Sequence, residues 1–354
     1  MNLLKSSAKK SSGTNEFNQE MKAVSLHAEA WKRLKKNKMA LCSLWVVLAY
    51  VLVSLAAPLL PLHPYEEQVI DHINLRPSFK CAGDVMVEQK IAYLNKVMKK
   101  QNRTTLTAAE QKEIEELKEE VKTNPIHQRH YILGTDALGR DMLSRSIYGG
   151  RISITIGIVG TVTALIIGVL VGAVAGFVGG WVDTLLMRFV DILYGLPYML
   201  LVIIMMAILG KSVAILFIAI ALVSWLTIAR VVRGQVISLK NSEFIEAARS
   251  MGASPLHIII RHLLPNCLGI IIAYATLSLP SFIMSESFLS FLGLGVSAPL
   301  ASWGSLVSDG VKGMELYPWI LIVPAFFMTV FLFAMNFLGD GVRDAFDPQS
   351  KKRV

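Results

Sequence analysis

Ile152–Gly180 reads ISITIGIVGTVTALIIGVLVGAVAGFVGG and carries no charged side chain. A bilayer core about 30 Å thick needs about 20 apolar residues at the α-helical rise, so this stretch alone is long enough to cross one. Working outward, further uncharged runs occupy Met39–Leu60, Ile192–Gly210, Ser212–Ala229, Leu263–Ser285, Ser287–Ser308 and Leu316–Gly339. Six of the seven are dense in Leu, Ile, Val, Phe and Met. Ser287–Ser308, SFLSFLGLGVSAPLASWGSLVS, is broken by glycine, serine and proline. Lipid cannot satisfy the backbone groups such a stretch exposes, so it reads as a surface or re-entrant segment. The chain of 354 residues is 53% apolar and 17% charged, against roughly a quarter charged in soluble domains. The expected fold is an all-α integral membrane protein with six transmembrane helices.

Charge placement orients those spans. Nine Lys or Arg fall in the first 38 residues, and the chain ends Lys351-Lys352-Arg353. Basic flanks stay cytoplasmic, so both termini are expected inside, as an even number of spans requires. The segment Arg230–Arg261 holds five Lys or Arg against two Glu and is also placed inside. The short loops at Lys211 and after Ser285 fall outside. Residues 61–150 are external by parity; loops of that length translocate regardless of their charge. The net charge of +9 then reports topology and contact with membrane lipid, and no nucleic-acid partner is expected. Cys42, Cys81 and Cys267 are too scattered for a disulfide framework. The first apolar run begins near residue 39 and is long enough to span, so it does not read as a cleavable signal.

The expected organisation follows. Residues 1–38 form a cytoplasmic segment, polar to about residue 22. From Ala23 to Asn37, Val24, Leu26, Trp31 and Leu34 mark an amphipathic helix on the inner membrane surface or a plain basic flank. The first span occupies 39–60. Within the external loop 61–150, Val87, Ile91, Leu94, Val97 and Met98, then Ile114, Leu117 and Val121, predict a helical hairpin near 84–124. Thr107 and Glu110 fit a capping box and Asn124-Pro125 a stop; the hairpin is a docking element or a tolerated insertion. A five-helix core covers 151–342, including a cytoplasmic loop 230–265, and 343–354 form a cytoplasmic tail. Gly168, Gly172, Gly176 and Gly180 share a helix face and invite close packing, within the chain or between subunits. Pro197, Pro280, Pro318 and Pro324 suggest kinks or helix starts. Arg188 and Asp191 are spaced to pair on one helix. Glu286, closing a span, either lines a pathway or is solvated at the interface.

The loop Glu243–Pro265 reads EFIEAARSMGASPLHIIIRHLLP and predicts two short helices around a corner. Ser242 caps the first, with Glu243 favourable to its dipole. Ala247 and Ala248 keep one side slim for an approaching surface. Gly252 closes the helix in the left-handed conformation. Ser254 caps the second, with Pro255 at its first position. His257 and His262, five apart on a helix, do not share a face, and no metal site is expected.

This loop resembles the EAA loop of ABC importer permeases through Glu246-Ala247-Ala248, Gly252 and Leu264-Pro265, although His262 stands where the general pattern has isoleucine. Arg261–Asn266 narrows the resemblance to the dipeptide, oligopeptide and nickel branch, as its second, C-type permease. Leu133–Asp141 (LGTDALGRD) with Ser144, Arg145, Tyr148 and Arg151, then Ser290–Gly295 (SFLGLG) with Trp303-Gly304, and Asn336–Asp344 (NFLGDGVRD) with Asp347-Pro348 are similar to the same branch. The resemblance covers about 28–63 and 130–349. It implies the type I importer permease fold and peptide translocation across the inner membrane, nickel complexes or other small solutes being the alternative. The implied partners are a second homologous permease, two ABC ATPase subunits and an external substrate-binding protein. Glu243, Phe244, Glu246, Ala247, Ala248, Arg249, Gly252 and Ala253 are implied to couple to the ATPase, which would hold ATP and magnesium. This chain has no Gly-x-x-x-x-Gly-Lys-Ser/Thr and no cofactor or catalytic site of its own is expected. A zinc protease would show His-Glu-x-x-His and a serine protease a histidine within a span; neither occurs. A channel is the other rival class.

Overall fold

The computed structural model describes residues 26–210 and 212–346. Among these residues every named element is helical. The polar stretch 1–22, Val24, Lys211, Asp347-Pro348 and the basic C-terminal run lie outside them.

Two helices open the chain, α1 (Leu26–Lys36) and α2 (Lys38–Ala56). Asn37 makes the corner, its side chain accepting from the Ala40 amide. Ala30 and Leu34 of α1 pack on Ala40 and on Ala345 near the other end of the chain, while Trp31 stays exposed. The amphipathic segment thus turns part of its apolar side inward.

The hairpin comprises α3 (Ala82–Lys100) and α4 (Ala108–Thr123). Thr107 and Glu110 form the reciprocal capping box, and Arg103 grips Glu110 through two bonds of 3.0 and 2.8 Å. Those donors hold the Glu110 carboxyl down to about 2. A side chain at Gly83 would collide with Val121, so the two helices approach closely there.

The longest helix is α5 (Met142–Val178), 37 residues and therefore about 55 Å long. After α6 (Gly180–Gly195) and α7 (Tyr198–Leu209) comes α8 (Val213–Leu239). α5 and α8 form the main core, and the glycine face of α5 lies directly against α8. A Cβ on Gly168 would sit 2.7 Å from Ile228, one on Gly176 2.8 Å from the Arg233 carbonyl, and one on Gly172 would strike the Ala229 carbonyl. Small residues at this spacing let two backbones meet. Gly180 departs from the expectation. It starts α6, is exposed and faces nothing within 4 Å, because the chain turns at Gly179 before a fourth repeat can face α8.

The remaining helices are α9 (Glu243–Ser250), α10 (Pro255–Ile258), α11 (Leu264–Phe291), α12 (Trp303–Val311) and α13 (Trp319–Phe346), with a π-helical turn at Ile259–Leu263. Tyr50, Ile283, Trp303, Phe331 and Met335 join α2, α11, α12 and α13 in a second core. Gly341 lies so close to Ala40 that no side chain fits between them.

Five segments are long and apolar enough to cross a membrane: Lys38–Leu59, Met142–Val178, Ala214–Leu239, Pro255–Phe291 and Trp319–Phe346. The sixth expected span is not one helix. α6 and α7 meet at 81°, because Leu196 is extended before Pro197 (ψ 137°) and a residue preceding proline avoids the helical region. Ser287–Ser308 makes no span either: α11 continues to Phe291, and a loop leads into α12. Pro280 and Pro324 lie inside helices, and Pro318 immediately precedes α13.

Candidate functional site

At the end of the bundle where α5 finishes, α9 projects as a short knuckle. Ile245 and Ala248 are its buried side and join the core that contains Val236, Ile258 and Leu263. Ala248 therefore faces this chain and is not available to a partner, contrary to the expectation that both alanines offer a slim outer side. A helix of eight residues has only two such inward positions, and packing takes both. Glu243, Phe244, Glu246, Ala247 and Arg249 remain exposed. Arg249 lies over the Phe177 ring at 5.6 Å, tying the knuckle to the end of α5.

The corner after α9 is fixed by the backbone. Gly252 has φ +80°, a conformation that a Cβ disfavours. Its amide donates to Arg249 O at 2.9 Å and the Ala253 amide donates to Ala248 O at 3.1 Å, the paired bonds of a Schellman closure. Ala253 packs against the core. Ser254 then caps α10 by accepting from the His257 amide, and Pro255 takes the first position. Ser242 does not cap α9 as expected. Its hydroxyl instead turns back to α8 and donates to Leu239 O at 2.6 Å, the carbonyl that also accepts from the Ser242 amide, and no α9 amide donates to it. Met251 (80% exposed), Leu256 (65%) and Phe244 (42%) present an apolar crest beside the charged Glu243, Glu246 and Arg249. A rigid, apolar crest of this kind suits a groove on another protein.

His257 and His262 correct a further expectation. Their rings stand 5.8 Å apart, since the π turn widens the helix and brings residues five apart onto one side.

The other family-like stretches build structure. Asp136 accepts from the Leu138 and Arg140 amides and pairs with the buried guanidiniums of Arg140 (2.8 Å) and Arg145. Glu286 is fully buried, neither solvated at an interface nor open to a pathway. One carboxylate oxygen accepts from Ser290 (2.7 Å) and Ser302 (2.6 Å), joining α11 to the start of α12. Asp191 pairs with Arg230 of α8 at 2.7 Å, not with Arg188, and Asp183 accepts from Nε and Nη2 of Arg233, one on each carboxylate oxygen. These two pairs fasten α6 to α8.

One feature escaped the sequence reading. Between the α6–α7 break, α8 and α11 lies a cavity of about 530 Å³. Tyr194, Tyr198, Ser224, Thr227, Tyr274 and the serines at 278, 281 and 285, all hydroxyl-bearing, are among its lining residues. The steps of four, three and four from Tyr274 to Ser285 mark one helical face and were the available signal.

Residues 168–352 match the family described as binding-protein-dependent transport system inner membrane component. Residues 25–77 match the N-terminal TM domain of oligopeptide transport permease C. An oligopeptide transport system permease protein of Haemophilus influenzae is 49% identical over 227 residues, 64% of this chain and 73% of that protein. Its counterpart in Salmonella typhimurium is 53% identical over 222 residues, covering 63% and 73%. A dipeptide transport system permease protein of Bacillus subtilis is 36% identical over 331 residues, covering 93% and 88%. With the helical bundle and the α9 knuckle beside these likenesses, the chain belongs to the family of binding-protein-dependent transport system inner membrane components.

Proposed function

We propose that this chain is one permease subunit of an ATP-driven importer that carries peptides across the cytoplasmic membrane. The observation that carries the reading is the α9 knuckle: anchored on the core by Ile245 and Ala248, closed by Gly252, and exposing Phe244 and Met251. Relatives named for oligopeptide and dipeptide transport support the choice of peptide. In this reading a separate ATPase subunit receives the crest together with Glu243, Glu246, Ala247 and Arg249. ATP and magnesium bind on that subunit, and this chain acts as a transporter component without catalysis of its own. A second homologous permease completes the path, a second ATPase docks on it, and an external binding protein delivers solute.

The knuckle is built to pass on a push. Its inward residues join the α8 and α11 core and its outward residues meet the partner, so movement of the partner displaces α8 and α11 as one piece. A two-state element biased from a remote site needs such a rigid link. Counting the bent pair as one crossing gives six, which puts both termini on one side. The basic N-terminal segment and the cluster around α9 set that side as cytoplasmic, leaving the α3–α4 hairpin outside.

The test is purification of the tagged chain with its companions, followed by uptake in proteoliposomes containing the binding protein. Co-purification of an ATPase and ATP-dependent accumulation of labelled tripeptide is the expected result. ATP-dependent accumulation of nickel without peptide would replace the substrate assignment, and flux without ATP would indicate a channel.

A further inference from the structure

We infer that the hydroxyl-lined cavity between the α6–α7 break, α8 and α11 is this subunit's share of the solute path, and that it holds the peptide main chain rather than side chains. The inference rests on the peptide-importer reading and adds the site at which the solute is held.

Three observations converge. First, Leu193 and Tyr194 at the end of α6, and Leu196 and Tyr198 flanking Pro197, line the cavity. Non-helical backbone at membrane depth is tolerated where it is buried in protein or borders a water-filled space, so the 81° break belongs beside a hydrated cavity. Second, none of the lining residues carries a charge and eight carry hydroxyls. Such walls form hydrogen bonds without discriminating among acidic, basic and apolar peptide side chains. Third, a second cavity of about 390 Å³ shares Tyr274 and Leu277 with the first. It continues along α11 past Ile270 to Asn266, and Gln235 and Arg343 are also among its lining residues. The two make one furrow running from mid-bundle toward the α9 end.

The hydrogen bonds fix the polarity of the site. Ser224 donates to Ile220 O (2.6 Å), Ser278 to Tyr274 O (2.7 Å) and Ser285 to Ser281 O (2.9 Å). With their protons committed to their own helices these oxygens keep lone pairs; Ser224 and Ser285 already meet the Tyr198 hydroxyl, so Ser278, together with Ser281 whose hydroxyl donates to Leu277 O, supplies the acceptors open to an incoming donor. Peptide N–H groups are such donors, repeated along any sequence. The volume lies within the range of small-molecule sites, about 300–1,000 Å³.

The test uses the whole importer in proteoliposomes with its binding protein. Ser278→Cys and Ser281→Cys, in a background free of the native cysteines, should react with a membrane-impermeant sulfonate thiol reagent at least about tenfold faster than Ile218→Cys, which is exposed but outside the furrow, because thiolate chemistry needs water. The Ser278→Ala/Ser281→Ala pair should lower the maximal uptake rate by roughly 3- to 10-fold with half-saturation unchanged, the scale of one or two hydrogen bonds. It should also shrink the penalty for an N-methylated tripeptide against the unmethylated one, whereas Ser→Thr at both positions should restore rate and penalty. Subunit co-purification checks that each variant assembles. Inert cysteines, or an unchanged rate and N-methyl penalty, in an importer that still carries peptide would overturn the furrow while leaving the peptide reading intact. A wild-type complex that carries no peptide would overturn both.

Discussion

The hairpin α3–α4 and the α5–α8 pair are both two helices packed side by side, yet they are held by different means. The hairpin is held by polar devices. It has a capping box, the Arg103–Glu110 pair and exposed ion pairs such as Lys90–Glu113 and Lys122–Glu119. Its few buried apolar residues include Val85, Leu94, Ile114 and Val121. α5 and α8 replace those devices with missing side chains at Gly168, Gly172 and Gly176. Water screens ion pairs at the hairpin surface and weakens them. Within a bilayer, where lipid competes equally for apolar contact, close backbone packing does the work. Substitutions should therefore cost little on one pair and much on the other.

The largest effect is expected where the two regions join. Asp136→Ala leaves Arg140 and Arg145 buried without their carboxylate, and loss of one member of a buried ion pair costs about 3–5 kcal/mol. Thermal unfolding of the purified complex in detergent should show a lower midpoint and poor recovery of this subunit. Next, Gly172→Val drives a side chain into the Ala229 carbonyl; overpacking costs about 1–3 kcal/mol or more. Gly234→Val, on α8 where an added side chain meets nothing within 4 Å and no left-handed φ is required, should cost less under the same measurement. Equal losses at Gly172 and Gly234 would break the claim that α5 approaches α8 through its glycines.

A smaller, pH-dependent effect is confined to the hairpin side. His72, fully buried, meets Tyr131 at 3.0 Å and His127 at 2.8 Å, and His127 lies 4.0 Å from Glu120 of α4. Burial and the neighbouring His127 push His72 down to about 4; Asp71 acts the other way, and Arg129 and His63 act with His127. The unfolded histidine titrates near 6.5. The unfolded chain thus binds more protons between about pH 6.5 and 4, and the anchor is complete above that window and lost as pH falls through it. Protection factors of the hairpin amides, taken relative to the intrinsic exchange rate at each pH, should fall by roughly tenfold or more between pH 7 and 5, while those of the α5–α8 amides stay high. His72→Phe should flatten the response. The smallest effect belongs to Lys122→Ala, which removes an exposed, water-screened pair and should leave the unfolding midpoint essentially unchanged.

The sequence makes some of this contrast legible and hides the rest for identifiable reasons. Hydropathy locates the spans because lipid imposes length and composition, and Thr107, Asn124, Gly252 and Ser254 work locally as their types suggest. Tertiary choices are not legible in the same way. Asp191 selects Arg230 over Arg188 and Ala248 turns inward, each because a neighbour distant in sequence is nearer, while Ser242 turns its hydroxyl back to Leu239 O. His257 and His262 mislead because a five-residue spacing has one meaning on an α-helix and another on a π turn. Glu286 sits at the end of an apolar run, but only the fold brings Ser302 to cover it. At the candidate site the corner was visible in the residues; which of its faces looks outward was not.

The central claim is that the crest formed by Phe244, Met251 and Leu256 seats on a separate ATPase at the cytoplasmic face. It is tested most directly with Met251→Cys in an otherwise cysteine-free, transport-active complex, combining sided thiol labelling with a short bifunctional cross-linker. The account predicts labelling from the cytoplasmic side alone and a cross-link to the ATP-hydrolysing subunit that changes in yield when ATP binds. Labelling from the outer side, or a functional complex in which this cysteine never captures that subunit, would contradict it.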